Sequence, residues 1–147
     1  MKYTNTVDIA MPMEKVIELF DNTENMYKWM DGLVGHEIVS GTQGEPGAQM
    51  RLFFKMGKAE FSMLETITEK NLPNKFAGSY KTKFATNHVS NSFKETADGH
   101  THMHSETRVE PHSFMVRLMC WISPGTFKKQ SQQYLDNFKK FAESGEF

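Results

Sequence analysis

Met50-Arg51-Leu52-Phe53-Phe54-Lys55-Met56-Gly57-Lys58-Ala59-Glu60-Phe61-Ser62-Met63-Leu64-Glu65-Thr66-Ile67 decides how the chain reads. Successive side chains of a strand point to opposite faces. Met50, Leu52, Phe54 and Met56 therefore share one face, and so do Ala59, Phe61, Met63, Glu65 and Ile67. Met56-Gly57-Lys58 between the two runs is turn chemistry, so the stretch reads as an antiparallel hairpin with one apolar side. A slip of one residue would turn that whole side outward, which pins the register.

The same pattern continues outward. Leu33 to Glu110 reads as strands punctuated by Gly44-Glu45-Pro46-Gly47, Leu72-Pro73-Asn74 and Asp98-Gly99, with a weaker break near Ala85-Thr86. Turn signals about ten residues apart mark an antiparallel meander. Phe76, Gly78, Tyr80, Thr82 and Phe84 share the inner face, as do Asn87, Val89, Asn91 and Phe93. Met103, Ser105, Thr107 and Val109 complete it.

Before the meander, Tyr3, Asn5, Val7 and Ile9 alternate with polar residues in a first strand. Pro12 suits the first turn of a helix that carries Met13, Val16, Ile17, Leu19 and Phe20 on one side. Thr23 is a cap for a second short helix with Met26, Trp29 and Met30, ended by Asp31-Gly32. After the meander, Ser123 as cap and Pro124 at the first helical position open a long helix. Its inner side is Phe127, Ser131, Tyr134, Leu135, Phe138, Phe141 and Ala142. The order is strand, two helices, six strands, helix: a single α+β domain over residues 1–147. One apolar sheet face needs one large partner, and the last helix is the only candidate.

Composition narrows the function. Hydrophobic residues are 38% and charged residues 24%, an ordinary globular balance, and the net charge of −1 lacks the basic field that nucleic-acid binding requires. The lone Cys120 excludes an internal disulfide, no signal core opens the chain, and no apolar run is long enough for membrane insertion. The expectation is a soluble cytoplasmic protein. Its 11 Met and 12 Phe suit an adaptable apolar interior.

The inner face also carries Glu65, Tyr80, Asn87, Asn91, Ser105 and Thr107. Buried polar groups without partners cost about 1–3 kcal/mol each, so a dry core rarely holds so many. A mostly apolar pocket with a few convergent polar groups is the usual form of a small-molecule site. The candidate lining begins with Trp29, Met50, Leu52, Phe54, Phe61, Met63, Glu65, Phe76 and Tyr80. Asn87, Val89, Asn91, Met103, Ser105, Phe127, Tyr134 and Phe138 supply the rest.

Pro12, Trp29, the Gly44-to-Gly47 turn before Met50-Arg51-Leu52, Asn87-His88-Val89-Ser90-Asn91 and Pro124-Gly125-Thr126-Phe127-Lys128-Lys129-Gln130, in this order of elements, resemble the SRPBCC superfamily. That is the helix-grip group of START domains, polyketide cyclases and birch-pollen-allergen-like proteins, and the likeness is nearest its bacterial stand-alone members. The resemblance implies a curved antiparallel sheet around the long helix, with a cavity for a lipid, steroid or polyketide. It implies no cofactor and no shared catalytic motif.

His100, His102 and His104 alternate along one strand and face outward, beside Glu106 and Arg108, so no metal site is expected there. Cys120 lies in an apolar run, where a thiol is packing. Glu65 is the one acid–base candidate: burial under Phe61, Met63 and Phe84 would raise its pKa toward neutrality. The leading expectation is a non-catalytic binder or carrier of a small hydrophobic molecule. The alternatives are a cyclase- or dehydratase-like enzyme using Glu65 with Tyr80 and Asn91, and a cochaperone-type interaction module whose protein partner the sequence does not mark.

Overall fold

The computed structural model describes residues 1–147. The strands are β1 (Lys2–Ile9), β2 (Leu33–Ser40), β3 (Gln49–Met56), β4 (Ala59–Asn71), β5 (Lys75–Lys81), β6 (Ala85–Glu95) and β7 (Thr101–Pro111). The helices are α1 (Met13–Phe20), α2 (Met26–Trp29), α3 (Phe114–Ile122) and α4 (Gly125–Ser144), with a 3-10 turn at Thr23–Asn25. All seven strands form one antiparallel sheet in the order β1-β7-β6-β5-β4-β3-β2. The hairpin around Gly57 has the expected register, Met50 opposite Glu65 and Phe54 opposite Phe61.

The long helix α4 lies along β1. The Tyr3 hydroxyl bonds Ser131 at 2.7 Å, Asn5 donates to the Lys128 carbonyl and to Gln132, and Lys139 donates to the Asp8 carbonyl. At about 1.5 Å per residue its 20 residues reach about 30 Å. Its inner side, Leu135, Phe138, Phe141 and Ala142, joins Ile9, Val16, Leu19, Phe93 and Met103 in the main core. A second cluster of Met26, Leu33, Met50, Leu52 and Phe54 closes the β2–β3 side.

Several local expectations change. The caps move: Asn22, not Thr23, accepts the backbone N–H of Glu24 at 3.0 Å. Pro12 and Pro124 sit one position before their helices, where their fixed φ still suits the entrance. Ser123 bonds the Thr126 hydroxyl instead of a backbone N–H, so it is not a side-chain cap for α4. The weak break lies at Thr82–Phe84 rather than at Ala85-Thr86, with Thr82 Oγ1 accepting from the N–H groups of Phe84 and Ala85. Phe84 is therefore in a turn and 51% exposed instead of inward. At the tip of the hairpin Met56 and Phe61 are also open, and Phe61 stacks on Phe54 with ring centroids 5.0 Å apart.

Gly78 carries a packing constraint. A Cβ there would stand 2.9 Å from the Thr66 carbonyl, beside the shift in β4–β5 register between Ile67 and Glu69. The bulge brings the two backbones together and only glycine fits.

The apolar run around Cys120 is helix α3, an element beyond the expected order. Ser113 caps it by accepting from Val116 N at 3.2 Å, yet none of its residues is buried. Cys120 is half-buried on this helix and takes no part in the core.

Candidate functional site

Two adjoining cavities lie between the inner sheet face and the helices. The larger holds about 140 Å³ and is floored by β4–β7 through Met63, Tyr80, Asn87, Val89, Asn91, Met103, Ser105 and Thr107. Ser131, Tyr134, Leu135 and Phe138 of α4 cover it, and Phe20, Trp29 and Met30 form its side. The smaller, about 70 Å³, lies under the α1–α2 connection and the β2–β3 loop, against Met50, Glu65, Ile67 and Phe76. Phe20, Trp29, Met30 and Tyr80 line both. They are the partition.

Aromatic packing fixes that partition. The Phe20 ring lies 6.0 Å from Trp29 and 5.6 Å from Phe138, and Trp29 lies 5.4 Å from Phe138. Asn137 of α4 donates to the Trp29 carbonyl at 3.2 Å, which ties the end of α2 to the long helix. Met30 is the pliant member, since a thioether side chain changes shape at small cost.

Two residues of the larger cavity's lining each carry a buried polar atom with no partner: the indole Nε1 of Trp29, a donor, and Oδ1 of Asn87, an acceptor. Glu65 stands directly across the ladder from Tyr80. Burial raises the Glu65 carboxyl above its ordinary 4.5, and hydrogen bonding from the Tyr80 hydroxyl offsets part of that rise. Burial also pushes Tyr80 well up, and the Glu65 charge adds to it.

A raised carboxyl pKa means that the folded state holds the proton more tightly than the unfolded one. The stability this gives is complete below the unfolded value and is lost as pH climbs through the raised one. Glu65→Gln, which has no charge to bury, is therefore expected to melt above the parent protein at about pH 8. The gap should narrow toward about pH 4. Scanning calorimetry at both pH values reads it, and an unchanging gap would contradict the burial.

The sequence-read residues divide by position. Trp29, Met63, Tyr80, Asn87, Val89, Asn91, Met103, Ser105, Tyr134 and Phe138 face the larger cavity, while Met50, Glu65 and Phe76 face the smaller. Leu52 and Phe54 line neither, because Met26 and Leu33 cover them in the second core cluster. Phe61 is at the open hairpin tip, and Phe127 is half-buried in the first turn of α4, outside both spaces. Glu65 is thus not roofed by Phe61 and Phe84; it stands between Met50 and Tyr80 on the ladder and lines the smaller space with Ile67 and Phe76. Phe20, Met26 and Met30 belong to the cavities but not to the sequence-read lining. Their signal was the apolar side of α1 and α2.

His100, His102 and His104 point outward, each beside a different carboxylate: Asp98 at 3.3 Å, Asp8 at 2.6 Å and Glu106 at 3.3 Å. They do not converge on a point.

One curved sheet closed by one long helix has solved counterparts. The chain superposes on Ara h 8.0201 with a TM-score of 0.78 at 14% identity, covering 99% of both chains. The fold is helix-grip. TTHA0849 from Thermus thermophilus shares it at a TM-score of 0.77 and 12% identity over 100% of both chains. An uncharacterised protein from Rhizobium leguminosarum does so at 0.76 and 13%, over 98% of this chain and 95% of that one. At such identities the helix-grip likeness speaks for architecture alone. No protein-family model and no curated protein matches the sequence. No helix is long and apolar enough to cross a membrane.

Proposed function

We propose that this chain binds a small apolar molecule with a hydroxyl or carbonyl group in the space between the sheet and α4, without transforming it. The unpartnered Trp29 Nε1 and Asn87 Oδ1, on residues of a mostly apolar lining, carry this reading. Leaving such atoms dry and unpaired costs about 1–3 kcal/mol each, a cost that a ligand with a matching acceptor and donor removes.

Volume sets the size of the guest. An apolar cavity of about 150 Å³ accepts benzene, so a space of about 140 Å³ suits a single ring or a short branched chain. A longer guest passes the Trp29–Met30 partition into the smaller space. Among lipids, steroids and polyketides, this favours the compact, single-ring end of the range.

A second reading has one observation in its favour. Glu65, its carboxyl pKa raised by burial and standing opposite Tyr80, lines the smaller space as the one buried carboxyl group there. Turnover lost in Glu65→Gln with binding retained would support that enzyme reading.

The binding reading is tested by calorimetric titration with phenol, cyclohexanone and benzene, on the parent protein and on Trp29→Phe. Phenol and cyclohexanone should bind more tightly than benzene. Trp29→Phe should weaken them by about five- to tenfold, the value of one hydrogen bond, and leave benzene unaffected. Absence of heat with all three sinks the reading.

A further inference from the structure

Helix α3 presents apolar side chains to solvent. Phe114, Met115, Trp121 and Ile122 are 78%, 69%, 83% and 66% exposed. At about 100° per residue they lie with Met119 on one continuous arc, flanked by Arg117, while Val116 and Cys120 turn toward the protein. Phe84 extends the surface: the N–H of His112, just before α3, donates to the Phe84 carbonyl at 2.7 Å.

The charged side chains that follow α3 and flank Phe84 are cationic. Between Glu110 and Asp136 the sequence has Arg117, Lys128 and Lys129 and no acidic residue, and the Phe84 turn adds Lys81 and Lys83. All five cations are exposed, and none enters an ion pair. Lys83 lies over the Phe84 ring at 4.9 Å, and the nearby carboxylate of Glu110 is held by His88 at 2.8 Å. Five of the unpaired cations of a chain of net charge −1 thus fall on the segments that carry its most exposed apolar side chains.

We propose that α3, with the Phe84 turn and the first turn of α4, is a docking face for an anionic lipid bilayer. A short helix with Trp and Phe on one arc and cations at its margins lies in the interface rather than across it. Juxtaposed cations gain free energy from anionic headgroups. A second copy of the chain is the poorer occupant, because it would press two cationic rims together. The inference does not depend on what the cavities hold.

Flotation of the full chain with phosphatidylcholine vesicles, with and without phosphatidylglycerol, tests it. The protein should float with the anionic vesicles only, release as salt rises, and show a blue shift of Trp121 emission on binding. The double variants Trp121→Ser/Phe114→Ser and Lys128→Glu/Lys129→Glu should each reduce the bound fraction by about tenfold or more. Their thermal melts should match the parent, since all four side chains are outside the core. Failure to float with anionic vesicles, or binding untouched by either variant, overturns the proposal. So does a concentration-dependent dimer in sedimentation that Trp121→Ser abolishes.

Discussion

Phe138→Ala is expected to remove about 3–5 kcal/mol of stability, the range for deleting a fully enclosed aromatic side chain. Phe138 is the largest fully enclosed side chain of α4, with 0% exposure. Its ring meets Phe20 edge-on at 5.6 Å and Trp29 at 5.4 Å. The loss is in two parts. Transfer of the ring to water is the first, and the second is a hole that the surroundings cannot close, because the sheet below it is held by ladders on both sides. Against an ordinary stability of about 5–15 kcal/mol for a whole domain, this leaves a marginal protein. Urea denaturation should show a large drop in midpoint with the slope unchanged. A loss under about 1 kcal/mol would mean that α4 is not the cover on the sheet.

Ser105→Phe should do the reverse to function, abolishing ligand binding while the fold persists. Ser105 is buried on β7, opposite Asn91 of β6 and Asn5 of β1, and faces the larger cavity. A benzyl side chain is about the size of guest that a cavity of this volume takes, so it occupies the space a ligand needs. Overpacking costs about 1–3 kcal/mol where a core is already full, and less where there is room. The expected result is at least about a hundredfold loss of affinity for phenol with a melting temperature close to the parent. Binding that survives the substitution would place the ligand elsewhere.

The sheet was legible because its sequence is redundant. Met50, Leu52, Phe54 and Ile67, or Phe93, Met103 and Val109, each repeat one statement about which face is inward, and register follows from their agreement. Helix α3 was not, since in Phe114-Met115-Val116-Arg117-Leu118-Met119-Cys120-Trp121-Ile122 nearly every residue is apolar. A uniform run has no periodicity to separate a buried segment from an exposed helix. The Thr82 turn escaped a reading based on Gly and Pro because a threonine hydroxyl makes it. Within the site, alternation puts Leu52 and Met50 on the same face, yet only Met50 reaches a cavity. Which inward residues meet empty space depends on what α1, α2 and α4 lay over them. That is a matter of packing between distant segments, which no local pattern encodes. Glu65 shows the same limit: its burial was foreseeable, but its neighbours were not.

The central claim is that the space between the sheet and α4 is a binding site. An amide-detected NMR titration of the isotopically labelled chain with phenol tests it most directly. Shifts are expected to centre on Asn87, Val89, Asn91, Met103 and Ser105, together with the Trp29 indole N–H. Shifts confined to α3 or to the outer sheet face, or none at millimolar phenol, would contradict it.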